Sequence, residues 1–110
     1  MPGYAAVLAA AARIAGHAHV TPILNSRALD AETGAWLQFK CEHLQRIGAF
    51  KFRGACNAVW SLDEAAAVRG VVTHSSGNHG AALALAAHGR GIPCHVVVPQ
   101  GAVRAKLAAI

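Results

Sequence analysis

Acid is what this chain has least of: five Asp and Glu stand against ten Lys and Arg, giving a net charge of +5 over 110 residues. A basic excess suits a phosphate-backbone binder, but the cations are scattered from Arg13 to Lys106 without forming a run. Aromatic residues make up only 5% of the chain, too few to interleave with those cations, so nucleic acid is not an expected partner. Loss of a more acidic remainder explains the imbalance more simply. Cysteine is scarce as well. Cys41, Cys56 and Cys94 are odd in number and lack C-x-x-C spacing, which argues against a disulfide framework and a zinc ribbon. They read as small buried hydrophobes in a reducing, cytoplasmic setting. Neither His17 with His19 nor His74 with His79 has an acidic or cysteine partner at ligand spacing, so no metal site is expected. Long apolar runs are missing too. Ala5 to Ala12 is apolar, but no cation precedes it, Arg13 interrupts it, and it falls short of the roughly 18 residues that a span needs. A first helix is the better reading, and no membrane is expected.

What the chain does have is apolar surface. With 55% hydrophobic and 14% charged residues it can build the core of one small domain. No internal repeat stands out beyond general alanine richness. Lys106-Leu107-Ala108-Ala109-Ile110 lies inside an apolar helical pattern without a glycine or asparagine stop, so the chain is expected to be the N-terminal portion of a longer protein. The pattern predicts helices over about Ala5–Ala15, Phe52–Leu62, Asn78–His88 and from about Val103. Between them it predicts a turn at Thr21-Pro22, a loop or short helix over Asn25–Thr33, and strands at Trp36–Lys40, Val71–His74 and Cys94–Val98. Gly89, Gly91 and Pro93 are expected to stop the helix before the last strand. Alternating strands and helices mean an α/β class with a parallel sheet.

Two segments carry chemistry. In Gly48-Ala49-Phe50-Lys51-Phe52-Arg53-Gly54-Ala55, a lysine stands between a glycine turn and the start of an apolar helical run. Burial between Phe50 and Phe52, the neighbouring Arg53 and the positive end of a helix all disfavour an ammonium, and a neutral amine forms Schiff bases with aldehydes. Read alone, Lys51 is equally an ordinary surface lysine on a first helical turn. The second segment runs from Val71–His74 through Ser75-Ser76-Gly77-Asn78-His79-Gly80 into an Ala/Leu-rich helix. The N–H groups of such a loop, the helix dipole and the side chains of Ser75, Ser76 and Asn78 make a seat for a carboxylate or phosphate. Read alone, a loop of this kind is more often a connector.

Three further stretches stand in register with these: Thr21-Pro22-Ile23-Leu24, Phe39-Lys40-Cys41-Glu42 with Gln45, and the run from Gly91-Ile92-Pro93 to Val98-Pro99-Gln100 with Lys106 and Ile110. Together they resemble the fold type II enzymes that use pyridoxal phosphate (PLP), in their serine/threonine dehydratase and serine racemase branch. The resemblance covers the chain from Thr21 onward. It implies the three-layer α/β, parallel-sheet architecture typified by tryptophan synthase β, here as an incomplete fragment. Residues 1–69 would come from the larger, PLP-binding domain and residues 70–110 would open the smaller one. It also implies PLP as cofactor, a small amino acid as substrate and a homodimer at full length. Lys51 matches the lysine that holds PLP as an internal aldimine and later moves the substrate's α-proton. Phe50 matches an aromatic that packs on the pyridine ring, with plain core as the alternative, and Asn78 matches an asparagine that bonds the ring hydroxyl. Ser75, Ser76, Gly77 and His79 fall in the loop that receives the substrate carboxylate.

The implied reaction is dehydration of a β-hydroxy amino acid to a 2-oxo acid and ammonia. Serine racemase is the near alternative, because Ser76 matches a serine that handles the proton on the face opposite the lysine; it is also suited to capping a helix or binding carboxylate. Two departures bear on this reading. Val103 stands where relatives usually carry proline, and the glycine-rich phosphate loop and the pyridine-nitrogen partner lie further along in the family. The 110-residue chain alone is therefore expected to be inactive, and a truncated, non-catalytic α/β module is the alternative of a different class. Cysteine-synthase-like β-replacement is disfavoured, since Phe52 stands where those enzymes normally carry Asp.

Overall fold

The computed structural model describes residues 2–108 and 110, with the side chains of residues 105 and 106 outside the description. Six α-helices are α1 (Tyr4–Ile14), α2 (Arg27–Thr33), α3 (Lys51–Trp60), α4 (Glu64–Arg69), α5 (Asn78–Arg90) and α6 (Arg104–Leu107). Four short strands are β1 (Ile23–Leu24), β2 (Phe39–Lys40), β3 (Val71–His74) and β4 (Cys94–Val97), and single 3-10 turns cover Glu42–Leu44 and Arg46–Gly48. Lys106 falls in α6 as the pattern predicts, but its side chain lies outside the described residues.

The organising unit is β3–α5–β4. The two strands pair in parallel, Val71 with Cys94 through His74 with Val97, joined by the α5 crossover. Alternation sets their faces: Val71, Thr73, Cys94 and Val96 are half-buried, whereas Val72, His74, His95 and Val97 are exposed. Helix α3 packs on α5 through one apolar core of Phe52, Ala55, Cys56 and Val59 against Ala82, Leu83 and Ala86. The small alanines at i and i+4 of α5 let the two backbones approach closely. This core lies across the boundary expected near residue 69. Arg13 of α1 donates to Asn57 Oδ1 at 2.5 Å, tying the first helix to α3. Cys41 and Cys56 are buried and Cys94 half-buried, all free, and burial pushes the Cys56 and Cys94 thiols up.

Four local details differ from the pattern. The strand expected over Trp36–Lys40 is reduced to Phe39–Lys40, because Asp30 Oδ1 accepts from the Leu37 N–H at 2.8 Å and holds the chain before it as a loop. That strand pairs antiparallel with β1, so the expected parallel arrangement holds for β3 and β4. Helix α4 is an element beyond those the pattern predicts; Asp63 Oδ1 caps it by accepting from the Ala66 N–H at 2.7 Å. Gly89 does not stop α5 but lies inside it, where a Cβ would stand 3.3 Å from the Trp60 ring. The helix ends at Gly91, which takes the left-handed conformation at φ 71°. Among the described residues no helix is long and apolar enough to cross a membrane.

Candidate active site

Lys51 opens α3, and the turn that delivers it is unusual. Ile47 and Gly48 are both left-handed, at φ 59° and 69°. Glycine tolerates this freely, but a β-branched residue there costs roughly 1–2 kcal/mol, so its surroundings must hold it. Gln45, only 3% exposed, does part of that. Its Oε1 accepts from the His19 N–H at 2.9 Å and from the Arg46 N–H at 3.0 Å, and its Nε2 donates to the His19 carbonyl at 2.9 Å. Lys51 itself is exposed, with Nζ 5.3 Å from the centroid of the Phe50 ring. The expected burial between two aromatics is not found: Phe50 is 61% exposed, whereas Phe52 is buried in the core. Residues two apart on a helix point about 200° from one another, so the pair cannot enclose one lysine.

The α3–α5 packing brings the N-termini of both helices to one cleft of about 260 Å³, lined by Phe50, Lys51, Gly54, Ala55 and His79. Neither helix carries an acidic residue in its first turn, so the partial positive charge at each end is uncompensated. A second cleft of about 450 Å³ opens at the carboxyl ends of β3 and β4, lined by His74, Ser75, Ser76, Val97, Val98 and Pro99. Ligand sites of α/β proteins lie at such strand ends. The Ser75 N–H donates to the Val97 carbonyl at 3.0 Å, and its hydroxyl accepts from the Gly77 N–H at 3.2 Å. Ser76 is half-buried and does not cap α5; Gly77 stands at the cap without a side-chain bond. Gly80 is required at its position, since a Cβ would lie 2.5 Å from the Ser75 carbonyl oxygen. Lys51, Phe50 and His79 are thus brought together, and Ser75 and Ser76 share the second cleft. Gly77 and Asn78 are exposed at the start of α5 and line neither. Among the described residues no three His, Cys, Asp or Glu side chains gather as a metal site would require.

A polar cluster gathers Thr21 and Glu42, which stand in the sequence motifs without an assigned role, with Arg53 of the lysine motif. Arg53 donates to Glu42 with Nε at 2.8 Å and Nη2 at 2.7 Å, and the Thr21 hydroxyl donates to the same carboxylate at 2.5 Å. Arg53 Nη2 also reaches the His19 carbonyl at 3.0 Å, and Lys40 Nζ the Thr21 carbonyl at 2.5 Å. The only sequence signal was an acid eleven positions before an arginine, a spacing that points to no local contact. Arg53 holds the Glu42 carboxyl down from 4.5 to about 2 against the opposing effect of burial, with Thr21 and Lys40 adding to the lowering. Because the folded value is depressed, this stabilisation is fully present above about pH 4.5 and is lost as pH falls toward 2. Urea titrations between pH 5 and 2 should therefore show a steeper loss of stability in the wild type than in Glu42→Gln; parallel curves would contradict the assignment.

A family model described as "Pyridoxal-phosphate dependent enzyme" matches residues 14–110. The chain belongs to that family. Over 95 residues it is 60% identical to a serine racemase of Arabidopsis thaliana, covering 86% of this chain and 29% of the relative. Over 106 residues it is 56% identical to a β-hydroxyaspartate dehydratase of Paracoccus denitrificans (strain Pd 1222), covering 96% and 34%. The solved structure of maize serine racemase superposes with a TM-score of 0.91 at 50% identity, covering 96% of this chain and 32% of that one. The chain therefore spans about a third of the length of these relatives. Its fold is that of the fold type II enzymes, and the cofactor of the family is PLP.

The residues of the first cleft fit that cofactor. Lys51 offers an amine on a flexible stem to an aldehyde, and Phe50 offers an aromatic face. Gly54 leaves the wall open for a flat ring: a Cβ added there would meet no atom within 4 Å.

Proposed function

We propose that the protein is a PLP-dependent ammonia-lyase that converts a β-hydroxy amino acid, serine or threonine in type, to a 2-oxo acid and ammonia. The observation that carries this reading is the single cleft shared by Lys51, Phe50 and His79 at two helix N-termini. Bound PLP would act as the electron sink for charge developing at the substrate Cα. Lys51 would hold the cofactor through its amine and, once released, move the α-proton. Phe50 would pack against the pyridine ring, and Asn78 would bond the ring hydroxyl. Ser75, Ser76, Gly77 and His79 would receive the substrate carboxylate at the positive end of α5. The similarity to a β-hydroxyaspartate dehydratase supports a lyase. The amino acid itself would be the small-molecule partner, and a homodimer would be the working assembly.

Serine racemase is the second reading, favoured by the similarity to serine racemases and by Ser76, whose half-buried side chain lines the strand-end cleft. The two readings separate at Ser76→Ala in the protein expressed from its full reading frame. If Ser76 moves a proton on the face opposite Lys51, interconversion of serine enantiomers falls at least about a hundredfold while L-serine dehydration stays within about threefold. Equal loss of both activities would instead make Ser76 a carboxylate-binding or structural residue.

The 110-residue chain by itself is proposed to bind PLP weakly and to turn over nothing. Fixing a dianionic phosphate calls for several charge-assisted bonds, and among the described residues neither cleft is lined by an arginine or by any lysine other than Lys51. Titration of the isolated chain with PLP, followed by aldehyde-band absorbance and 2-oxo acid release, should show no saturation at stoichiometric cofactor. Tight binding with steady turnover of serine would contradict this.

A further inference from the structure

Glu42 lines neither cleft, yet three chain segments meet at its carboxylate: the Thr21 stretch, the 3-10 turn that Glu42 begins, and the first turn of α3 through Arg53. That first turn carries Lys51 and is only weakly held by its own backbone. Its opening bonds are short-range, from the Phe52 N–H to the Ala49 carbonyl at 3.3 Å and from the Arg53 N–H to the Phe50 carbonyl at 3.1 Å. The chain also enters it through the left-handed Ile47. Burial of Phe52 in the α3–α5 core holds one side of the turn, and the other is held by the two-pronged grip of Glu42 on Arg53, a planar, charge-assisted pair that sets direction as well as distance. The pair is partly shielded, at 18% and 30% side-chain exposure, and is further anchored by the bond from Arg53 to the His19 carbonyl.

We propose that Glu42 is a positioning residue for Lys51: by gripping Arg53 it sets the direction of the first turn of α3, and so the direction from which the Lys51 amine reaches the cofactor. The proposal rests on the reading of Lys51 as the PLP lysine. Glutamine at this position keeps the shape but offers one acceptor oxygen instead of two and no charge, so the fork is halved while the Thr21 and His19 contacts can persist.

The test uses Glu42→Gln in the holoenzyme from the full reading frame, after borohydride reduction has located the labelled lysine in the wild type. Three quantities are read: visible circular dichroism per mole of bound cofactor, kcat and KM, and amide hydrogen exchange of residues 51–54 in the apoprotein. A misdirected amine lowers the dichroism per bound cofactor to about half or less and kcat at least about tenfold, with KM for the amino acid within about twofold. Exchange at residues 51–54 quickens at least about fivefold. Wild-type dichroism, kinetics and exchange, with at most a lower melting temperature, would overturn the proposal and leave Glu42 merely structural. Should Glu42→Gln not fold, Glu42→Asp is read by the same three quantities, since it keeps the charge but is too short to reach both Arg53 nitrogens. A wild-type label on a lysine other than Lys51 would defeat the cofactor reading and the proposal together, whereas a labelled Lys51 with unchanged Glu42 variants would defeat the proposal alone.

Discussion

Replacing Lys51 with alanine is expected to lower kcat for dehydration of L-serine or L-threonine at least about a thousandfold, because on the proposed reading one amine would both hold the cofactor and move the α-proton. Stability should change little. The Lys51 side chain is exposed and stands at the positive end of a helix, outside the buried α3–α5 core. Lys51→Arg should fail nearly as completely, since a guanidinium keeps its proton and forms no Schiff base. Steady-state kinetics beside a urea titration check both halves of the expectation. Retention of more than about a tenth of wild-type kcat in Lys51→Ala would remove Lys51 from the chemistry.

The second large effect is on folding. Phe52, two residues after the lysine, is 3% exposed and fills the junction of α3 and α5 beside Ala55, Cys56, Val59, Ala82, Leu83 and Ala86. Its neighbours are mostly small, so they cannot close over the space it would leave. Phe52→Ala should therefore cost about 3–5 kcal/mol, a large part of the roughly 5–15 kcal/mol by which a domain is stable. Phe50→Ala should cost under about 1 kcal/mol, as its ring is mostly in solvent. Urea midpoints for the two variants would separate them. Equal losses would mean that Phe50 is a core residue and not a face offered to the cofactor.

Much of this arrangement can be read in the chain before folding. Helix α5 announces itself by its Ala/Leu run and its left-handed Gly91 stop, and β3 and β4 by short Val-rich runs ahead of turn residues. The lysine turn is signalled by Gly48, and the loop from Ser75 to Gly80 by the strand and helix around it. The features that escape are those set by contacts distant in sequence. β1 and β2 are two residues each and exist through their mutual pairing, and the loop before β2 is fixed by Asp30. Ile47 is the residue type least expected at positive φ, so no local pattern could predict the strained turn. Helix α4 was within reach, since Asp63 followed by Glu64 and an alanine run is an N-cap signature. The geometry of Lys51 illustrates the limit most clearly: the flanking phenylalanines suggest burial, yet helical rotation turns one into the core and the other, with the lysine, toward the cleft.

Lys51 is proposed as the lysine that bears PLP. Lys40 is occupied at the Thr21 carbonyl, and Lys106 belongs to a late helix remote in sequence from the glycine turn. The direct measurement is borohydride reduction of the PLP-loaded protein, expressed from its full reading frame, followed by proteolysis and mass spectrometry of every lysine peptide. The expected product is a reduced pyridoxyl group on the peptide containing Lys51. A stoichiometric adduct on Lys40, on Lys106 or on any other lysine, with Lys51 unmodified, would contradict it.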